Sequence, residues 1–177
     1  MASSAADGLT PRARQIVDAA RELLEREGPD ALSMRRIAER LGIRAPSLYK
    51  HFPDKQALES ALISDAFAEQ AEAFEAAVDG AADPLAALAA AYRAYALAHP
   101  HLYRLTTERP LLRERLGPGV EERAAAPLIG ATGDADTARA TWAFAHGMTI
   151  LELNDRFPPG ADLDAAWRRG IDAFRTA

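Results

Sequence analysis

The chain contains no cysteine, which removes at once disulfide staples, thiolate metal ligands and a cysteine nucleophile, and fits a reducing compartment. Lysine is scarce as well: only Lys50 and Lys55 among 21 basic residues, the rest being arginine in an alanine-rich chain. No stretch approaches the roughly 18 unbroken apolar residues of a membrane-spanning helix. Met1 to Leu9 is small and polar, without the basic and apolar segments of a secretory leader. A cytoplasmic protein with no membrane contact is expected. Also missing are the His-Glu-x-x-His zinc pattern, the Gly-x-Ser-x-Gly elbow, the phosphate loop and the dinucleotide-binding Gly-x-Gly-x-x-Gly. No metal or cofactor is implied. The acid–base or metal pairs that an enzyme reading could use are His146 with Glu152 and His99 with His101, and the latter two do not share a helical face.

What is present is 177 residues, enough for one large domain or two small ones with a real core. The net charge of −5 argues against a nucleic-acid partner, but its distribution matters more than its sum. Residues 1–55 carry ten basic and eight acidic side chains, and the remainder eleven and eighteen. Within 33–55 the basic residues Arg35, Arg36, Arg40, Arg44, Lys50 and Lys55 face only Glu39 and Asp54. That local excess is the electrostatic footprint of a nucleic-acid reader.

Periodicity predicts helices throughout and no strand. Thr10 as N-cap and Pro11 at the first helical position open a helix carrying Ile16, Ala20, Leu23 and Leu24 on one face, and Gly28-Pro29 closes it. Ser33 caps a short second helix with Met34, Ile37, Ala38 and Leu41 at i, i+3, i+4, i+7, ended by Gly42. Residues 45–52 allow about two further turns, with Pro46 tolerated in the first and Pro53 barring continuation. The result is a helix-turn-helix in which Leu41, Ile43, Leu48 and Phe52 bury inward and Arg44, Ala45, Ser47, Tyr49 and Lys50 face out. A long helix follows from Asp54 to about Asp79, and further helices are expected at 85–98, 100–107, about 118–131, 134–156 and 163–176. There is no internal repeat of fixed period.

The run Ser33-Met34-Arg35-Arg36-Ile37-Ala38-Glu39-Arg40-Leu41-Gly42, followed by Ala45-Pro46-Ser47-Leu48-Tyr49-Lys50-His51-Phe52-Pro53-Asp54-Lys55, resembles the N-terminal signature of TetR-family regulators. The likeness covers roughly residues 10–60. It implies an all-α chain with a three-helix DNA-binding domain over 10–56 and a helical ligand-binding and dimerisation domain over 57–177. It further implies base contacts from the face formed by Arg44, Ala45, Pro46, Ser47, Tyr49 and Lys50. Phosphate contacts would come from Tyr49, His51 and Lys55, assisted by Ser33, Arg35 and Arg36 at the start of the second helix. The family often has Ser or Thr where this chain has Arg44, so the usual cap is missing there, while an arginine can read guanine bidentately.

Trp142-Ala143-Phe144-Ala145-His146-Gly147, with His99-Pro100-His101-Leu102-Tyr103-Arg104-Leu105, resembles the C-terminal domain of a TetR subgroup named for its Trp-His-Gly motif. Small and large residues alternate along that helix at Ala138, Trp142, Ala145, Thr149 and Glu152, and Gly147 within it points to close helix contact or to room beside a pocket. An unidentified small-molecule effector would lie among Tyr92, Tyr95, Tyr103, Leu105, Phe144, His146 and Met148, each of which is equally explicable as core. The resemblance implies a homodimer through the last two helices and a double-stranded operator as partner, in the nucleoid-associated cytoplasm. Repression would be relieved when the effector alters the spacing of the two reading heads through a pendulum-like motion of the 54–79 helix. The acidity of the whole chain equally permits a module of the same fold that binds protein instead of specific DNA.

Overall fold

The computed structural model describes residues 8–175; the N-terminal seven residues and Thr176, where the last helix was expected to end, lie outside them. Among the described residues the regular elements are helical: α1 Pro11–Glu27, α2 Met34–Arg40, α3 Ala45–Leu48, α4 Lys55–Val78, α5 Pro84–Ala98, α6 Pro100–Thr107, α7 Val120–Thr132, α8 Ala135–Leu153 and α9 Leu163–Asp172, with single 3-10 turns at Pro29–Ala31 and Arg113–Arg115. No described helix is long and apolar enough to cross a membrane.

By packing, the chain parts into two units, one of residues up to Glu69 together with His99–Glu121, the other of Gln70–Ala98 with the residues from Glu122 onward. The division expected at residue 56 follows the motif; division by contact falls elsewhere, because α6 and the segment after it pack on α1 and the first half of α4. In this first unit Ile16, Val17, Ala20, Leu23 and Leu24 of α1 meet Ile37 and Ala38 of α2, Leu48 and Phe52, Leu58 and Leu62 of α4, and Leu102 and Leu105 of α6 in one buried cluster. Each of the larger of these side chains contributes roughly 1.5–3 kcal/mol by leaving water. Along the polar edge of α1, Arg14 pairs with Asp65 and Arg21 with Glu69, both on α4, while Glu25 holds His99 at 3.1 Å. Farther along, Arg109 reaches Glu59 at 3.0 Å, Arg115 reaches Asp54 at 2.9 Å, and the Gly117 amide donates to Ser64 Oγ at 2.9 Å. The 108–117 segment is thereby strapped to the start of α4.

In the second unit Leu85, Ala145, Trp167 and Ile171 form a buried cluster flanked by Ala89, Tyr92, Leu128, Phe144, Met148 and Phe174. Phe144 stands edge-on to Trp167 with ring centres 5.8 Å apart. Its ring fills the notch at Gly170, where an added Cβ would lie 1.9 Å from Phe144 Cζ, so α8 and α9 approach as closely as they do because position 170 has no side chain. Arg93 of α5 donates to both oxygens of Glu152, at 2.8 and 2.7 Å, and to Asp164 at 2.6 Å, tying three helices together.

Helix ends differ from expectation for local reasons. α3 is one turn, not two: the amides of His51 and Phe52 both turn to the Leu48 carbonyl, and the residue before Pro53 is held out of helical geometry. α8 stops at Leu153 because Asp155 takes a left-handed conformation (φ 50°) and the Arg156 amide folds back on Leu151. α9 ends at Asp172, and α7 begins at Val120.

Besides α9, where Asp162 accepts from the Ala165 amide at 2.9 Å, three helices start on an aspartate that accepts backbone N–H groups: Asp54 from Ala57 at 2.7 Å, Asp83 from Ala86 at 3.1 Å, and Asp134 from Asp136 and Thr137, both at 2.9 Å. These last three carboxyls sit below their ordinary value of 3.8: Asp54 mainly through the Ala57 amide, Asp83 mainly through Arg175, Asp134 mainly through Thr137. A carboxyl whose pKa falls on folding stabilises the fold above its unfolded value and loses that contribution as pH drops through the folded one. Melting temperature is therefore expected to be flat from neutral pH to about pH 5 and to fall below about pH 4, with Asp134→Asn flattening part of the decline; thermal melts against pH check this.

Candidate nucleic-acid interface

The second helix is positioned by Ser33, whose hydroxyl accepts from the Arg36 amide at 3.3 Å, and is fixed to the core by Met34, Ile37 and Ala38. Gly42 adopts the left-handed geometry (φ 64°) that the sequence predicts for the turn. Leu48 is fully buried and Phe52 is 4% exposed, while Leu41 and Ile43 are half-buried against the same cluster. With Leu48 and Phe52 locked inward, α3 presents Arg44, Pro46, Ser47, Tyr49 and Lys50 to solvent, with Ala45 half-buried and Tyr49 51% exposed. His51 is exposed beside them. Arg44 occupies the N-cap of α3 and makes no side-chain capping bond, as expected from the departure at that position.

The basic residues of this segment divide by partner. Arg35 pairs with Glu39 at 2.9 Å, Arg36 with Glu27 at 2.5 Å, Arg40 with Glu22, and Lys55 with Glu59 at 3.4 Å. Arg44 and Lys50, on the exposed face, are in none of the ion pairs among the described residues. Exposed pairs of the first kind are worth little and exchange readily, so a phosphate can take Arg35 or Arg36 from its carboxylate at small cost. The unengaged pair, by contrast, is ready for contact as it stands. Carboxylate partners on α1 were not part of the sequence reading, since helix periodicity does not say which charged residues of two crossing helices meet.

The seven residues expected around an effector are divided between the units. Tyr103 is 1% exposed and Leu105 belongs to the buried cluster with α1 and α4, both in the first unit. Tyr92, Phe144 and Met148 are brought together in the second unit around Trp167, with Tyr95 and His146 half-buried there. A surface depression of about 430 Å³ in that unit is lined instead by Asp136, Thr137, Ala140, Ala173, Phe174 and Arg175. A Cβ on Gly147 would meet nothing within 4 Å in this chain, so its close helix contact is not made internally. Arg93 and Trp167, which organise the unit, were not singled out in the sequence; the one signal was Trp167 on the apolar side of a short amphipathic helix. No grouping of three metal-ligating side chains occurs among the described residues. Of the pairs open to an enzyme reading, His99 is held by Glu25 and Glu152 by Arg93.

Comparison with known proteins follows the same division. The profile of bacterial regulatory proteins of the tetR family matches residues 16–62, and that of the tetracyclin repressor-like C-terminal domain matches residues 85–174. The latter description does not single out a Trp-His-Gly subgroup. An uncharacterised HTH-type transcriptional regulator of Mycobacterium tuberculosis is 32% identical over 149 residues, covering 78% of this chain and 68% of that protein. The class A tetracycline repressor from transposon 1721 in Escherichia coli is 46% identical over 54 residues, 30% of this chain and 25% of the repressor. Among solved structures, the multidrug binding protein EbrR complexed with ethidium superposes with a TM-score of 0.72 at 26% identity, covering 94% of this chain and 99% of that one. A protein with unknown function from Rhodococcus sp. RHA1 gives 0.75 at 28%, covering 94% of each.

The geometry separates residues that hold the exposed cationic face from residues that form it. Leu48→Ala is expected to cost about 2–5 kcal/mol, whereas Arg44→Ala and Lys50→Ala, exposed and unpaired, should change stability by less than about 0.5 kcal/mol. Urea denaturation of the three variants measures the contrast, and a large loss in either surface variant would show that the face has an internal role.

Proposed function

The chain belongs to the TetR family of bacterial transcriptional regulators, a premise from which we propose that it is a ligand-responsive, sequence-specific DNA-binding protein acting as a repressor that a small molecule releases from its operator. The family is one of regulators, not enzymes; its members bind DNA operators and small-molecule effectors and act as dimers. The observation that carries the reading for this chain is the unpaired cationic face of α3, held outward by the burial of Leu48 and Phe52. We assign DNA reading to residues 10–56 and regulation and dimerisation to 57–177.

On this assignment Arg44, Ala45, Pro46, Ser47, Tyr49 and Lys50 approach base edges in the major groove, and Arg44 has the reach and planar donor geometry to select guanine. Tyr49, His51, Lys55, Ser33, Arg35 and Arg36 hold phosphates and set register. Two copies place their α3 helices about 34–36 Å apart, one helical turn of DNA. α4, continuous across both units, is the covalent route by which an effector's differential affinity for the two states alters that spacing. Tyr92, Tyr95, Phe144, His146 and Met148 are the residues we assign to the effector; Tyr103 and Leu105 serve the core of the first unit. The setting is the nucleoid-associated cytoplasm. The multidrug binding protein bound to ethidium shows the same fold accommodating an aromatic ligand, which supports an aromatic-lined site here.

Selection of bound fragments from random duplex DNA tests the reading. The wild-type protein should enrich a motif of two related half-sites, weakened by Lys50→Ala and Tyr49→Ala and altered at one position by Arg44→Ala, with a logarithmic salt slope of about −0.9 per phosphate neutralised. If a folded dimer enriches no sequence at low salt, the protein-interaction reading replaces this one.

The dimer is assigned to α8 and α9. Trp142 and Leu151 of α8 are 49% and 43% exposed within the chain, and Gly147 between them leaves open room. Trp142→Glu combined with Leu151→Glu is expected to give a folded monomer by sedimentation equilibrium and circular dichroism; an unchanged dimer would place the interface elsewhere.

A further inference from the structure

Two polar atoms inside the second unit lack any hydrogen-bond partner: the hydroxyl of Thr149, on a residue with no exposure, and the indole Nε1 of Trp167, on a residue 6% exposed. Both belong to one place. Arg93 holds Glu152 on α8 and Asp164 on α9; Thr149 precedes Glu152 by three residues and Trp167 follows Asp164 by three, so each lies one helical turn from a carboxylate in the same guanidinium grip. The guanidinium itself lies 5.8 Å from the centre of the Trp167 ring. Both orphans are thus about one helical turn from the junction of α5, α8 and α9, and Trp167 lies against the ring of Phe144 in the cluster that Tyr92 and Met148 flank.

A buried donor without an acceptor is costly, and a threonine in a helix ordinarily returns its hydroxyl to the carbonyl four residues back. Here Thr141 does so, to Thr137 at 2.8 Å, and Thr149 does not. An indole N–H donates only, so what it lacks is an acceptor; the threonine hydroxyl can donate to that same acceptor. The adjacent charges, one guanidinium against two carboxylates, leave a net negative charge, which disfavours an anion. The neighbouring cluster is aromatic: Trp167 meets Phe144 edge-on, Phe144 meets Phe174 at 5.8 Å, and Tyr92 meets Phe74 at 6.2 Å.

From this geometry we infer that Thr149 and Trp167 are the polar recognition pair of a site for an uncharged aromatic ligand presenting one carbonyl or phenolic oxygen, which accepts from both. The ring of Phe144, half-buried over Gly170, is the group that yields to admit the ligand's body. The inference rests on the assignment of the second unit to effector binding and names the chemistry of that effector.

The test uses the full chain, labelled with nitrogen-15, and two probes matched in size: 2-acetylnaphthalene and 2-ethylnaphthalene, which differ by one carbonyl oxygen. The chain has two tryptophans, and Trp167→Phe identifies the Trp167 indole signal by its loss. The ketone is expected to shift that signal saturably and the hydrocarbon to leave it in place. Thr149→Val and Trp167→Phe should each weaken ketone binding about tenfold, with Thr149→Ser restoring it. Because Thr149→Val replaces an unpartnered hydroxyl with a methyl of the same shape, it should also raise the melting temperature of the free protein by about 2–4 °C. Equal binding of the two probes, an unmoved Trp167 signal, or a lowered melting temperature in Thr149→Val overturns the inference. Failure to select an operator sequence would overturn the regulator reading alone, since none of these readouts uses DNA.

Discussion

The burial of Leu48 and Phe52 beneath a helix of only four residues is the constraint on which the DNA-facing part of the molecule depends. So short a helix has almost no stability of its own, since helix nucleation is unfavourable and propagation never repays it within one turn. α3 exists because two large apolar side chains, four residues apart, are pulled into a core already built by α1, α2, α4 and α6. That placement leaves Arg44, Ser47, Tyr49 and Lys50 no internal surface to cover. The exposed cationic face is therefore a consequence of packing, and for the DNA reading proposed for it one turn suffices, because such a helix needs a defined orientation, not length.

Charge follows from the same architecture. A chain with a net charge of −5 can serve a polyanion because its acids are placed away from the face or are matched internally. Asp65 and Glu69 answer Arg14 and Arg21 between α4 and α1, Glu152 and Asp164 answer Arg93, and Glu75 answers Arg123. Glu22, Glu27 and Glu39 instead occupy the arginines of α2. These last pairs keep α2 from acting as an indiscriminate cationic surface, and their exposure keeps them exchangeable with phosphate. On the proposed reading, these pairs moderate non-specific affinity while the unpaired Arg44 and Lys50 stay open to phosphate.

Much of this was legible in the sequence because local signals there are strong. Thr10 and Ser33 cap the helices they precede, Gly28 and Gly42 take positive φ, and Leu48 and Phe52 are buried while their neighbours are not. What stayed hidden is tertiary. The return of α6 and the 108–117 strap to the first unit depends on Arg109 finding Glu59 and Gly117 finding Ser64, pairs some 50 residues apart that periodicity cannot connect. For the same reason Tyr103 and Leu105, similar in composition to Tyr92 and Phe144, could not be assigned to a different core. The role of Arg93 was invisible because an arginine on an alanine-rich helix reads as a solvated charge until the helices bearing Glu152 and Asp164 are set against it.

α8 shows how one helix can serve two surfaces without conflict. Its buried side is built from Ala138, Thr141, Ala145 and Thr149, small residues that let α5 and α9 approach, while Trp142, Ala143 and Leu151 stand on the outside. Small residues within and large ones without is the reverse of a helix that serves only its own core. If the outer face is the dimer surface and the inner one touches the effector, both interactions depend on the position of the same backbone. Each then shifts the other by equal free energy, as linkage requires. On that reading one helix, with Trp142 and Leu151 on its outer face and the unpartnered Thr149 hydroxyl on its inner one, carries both interactions.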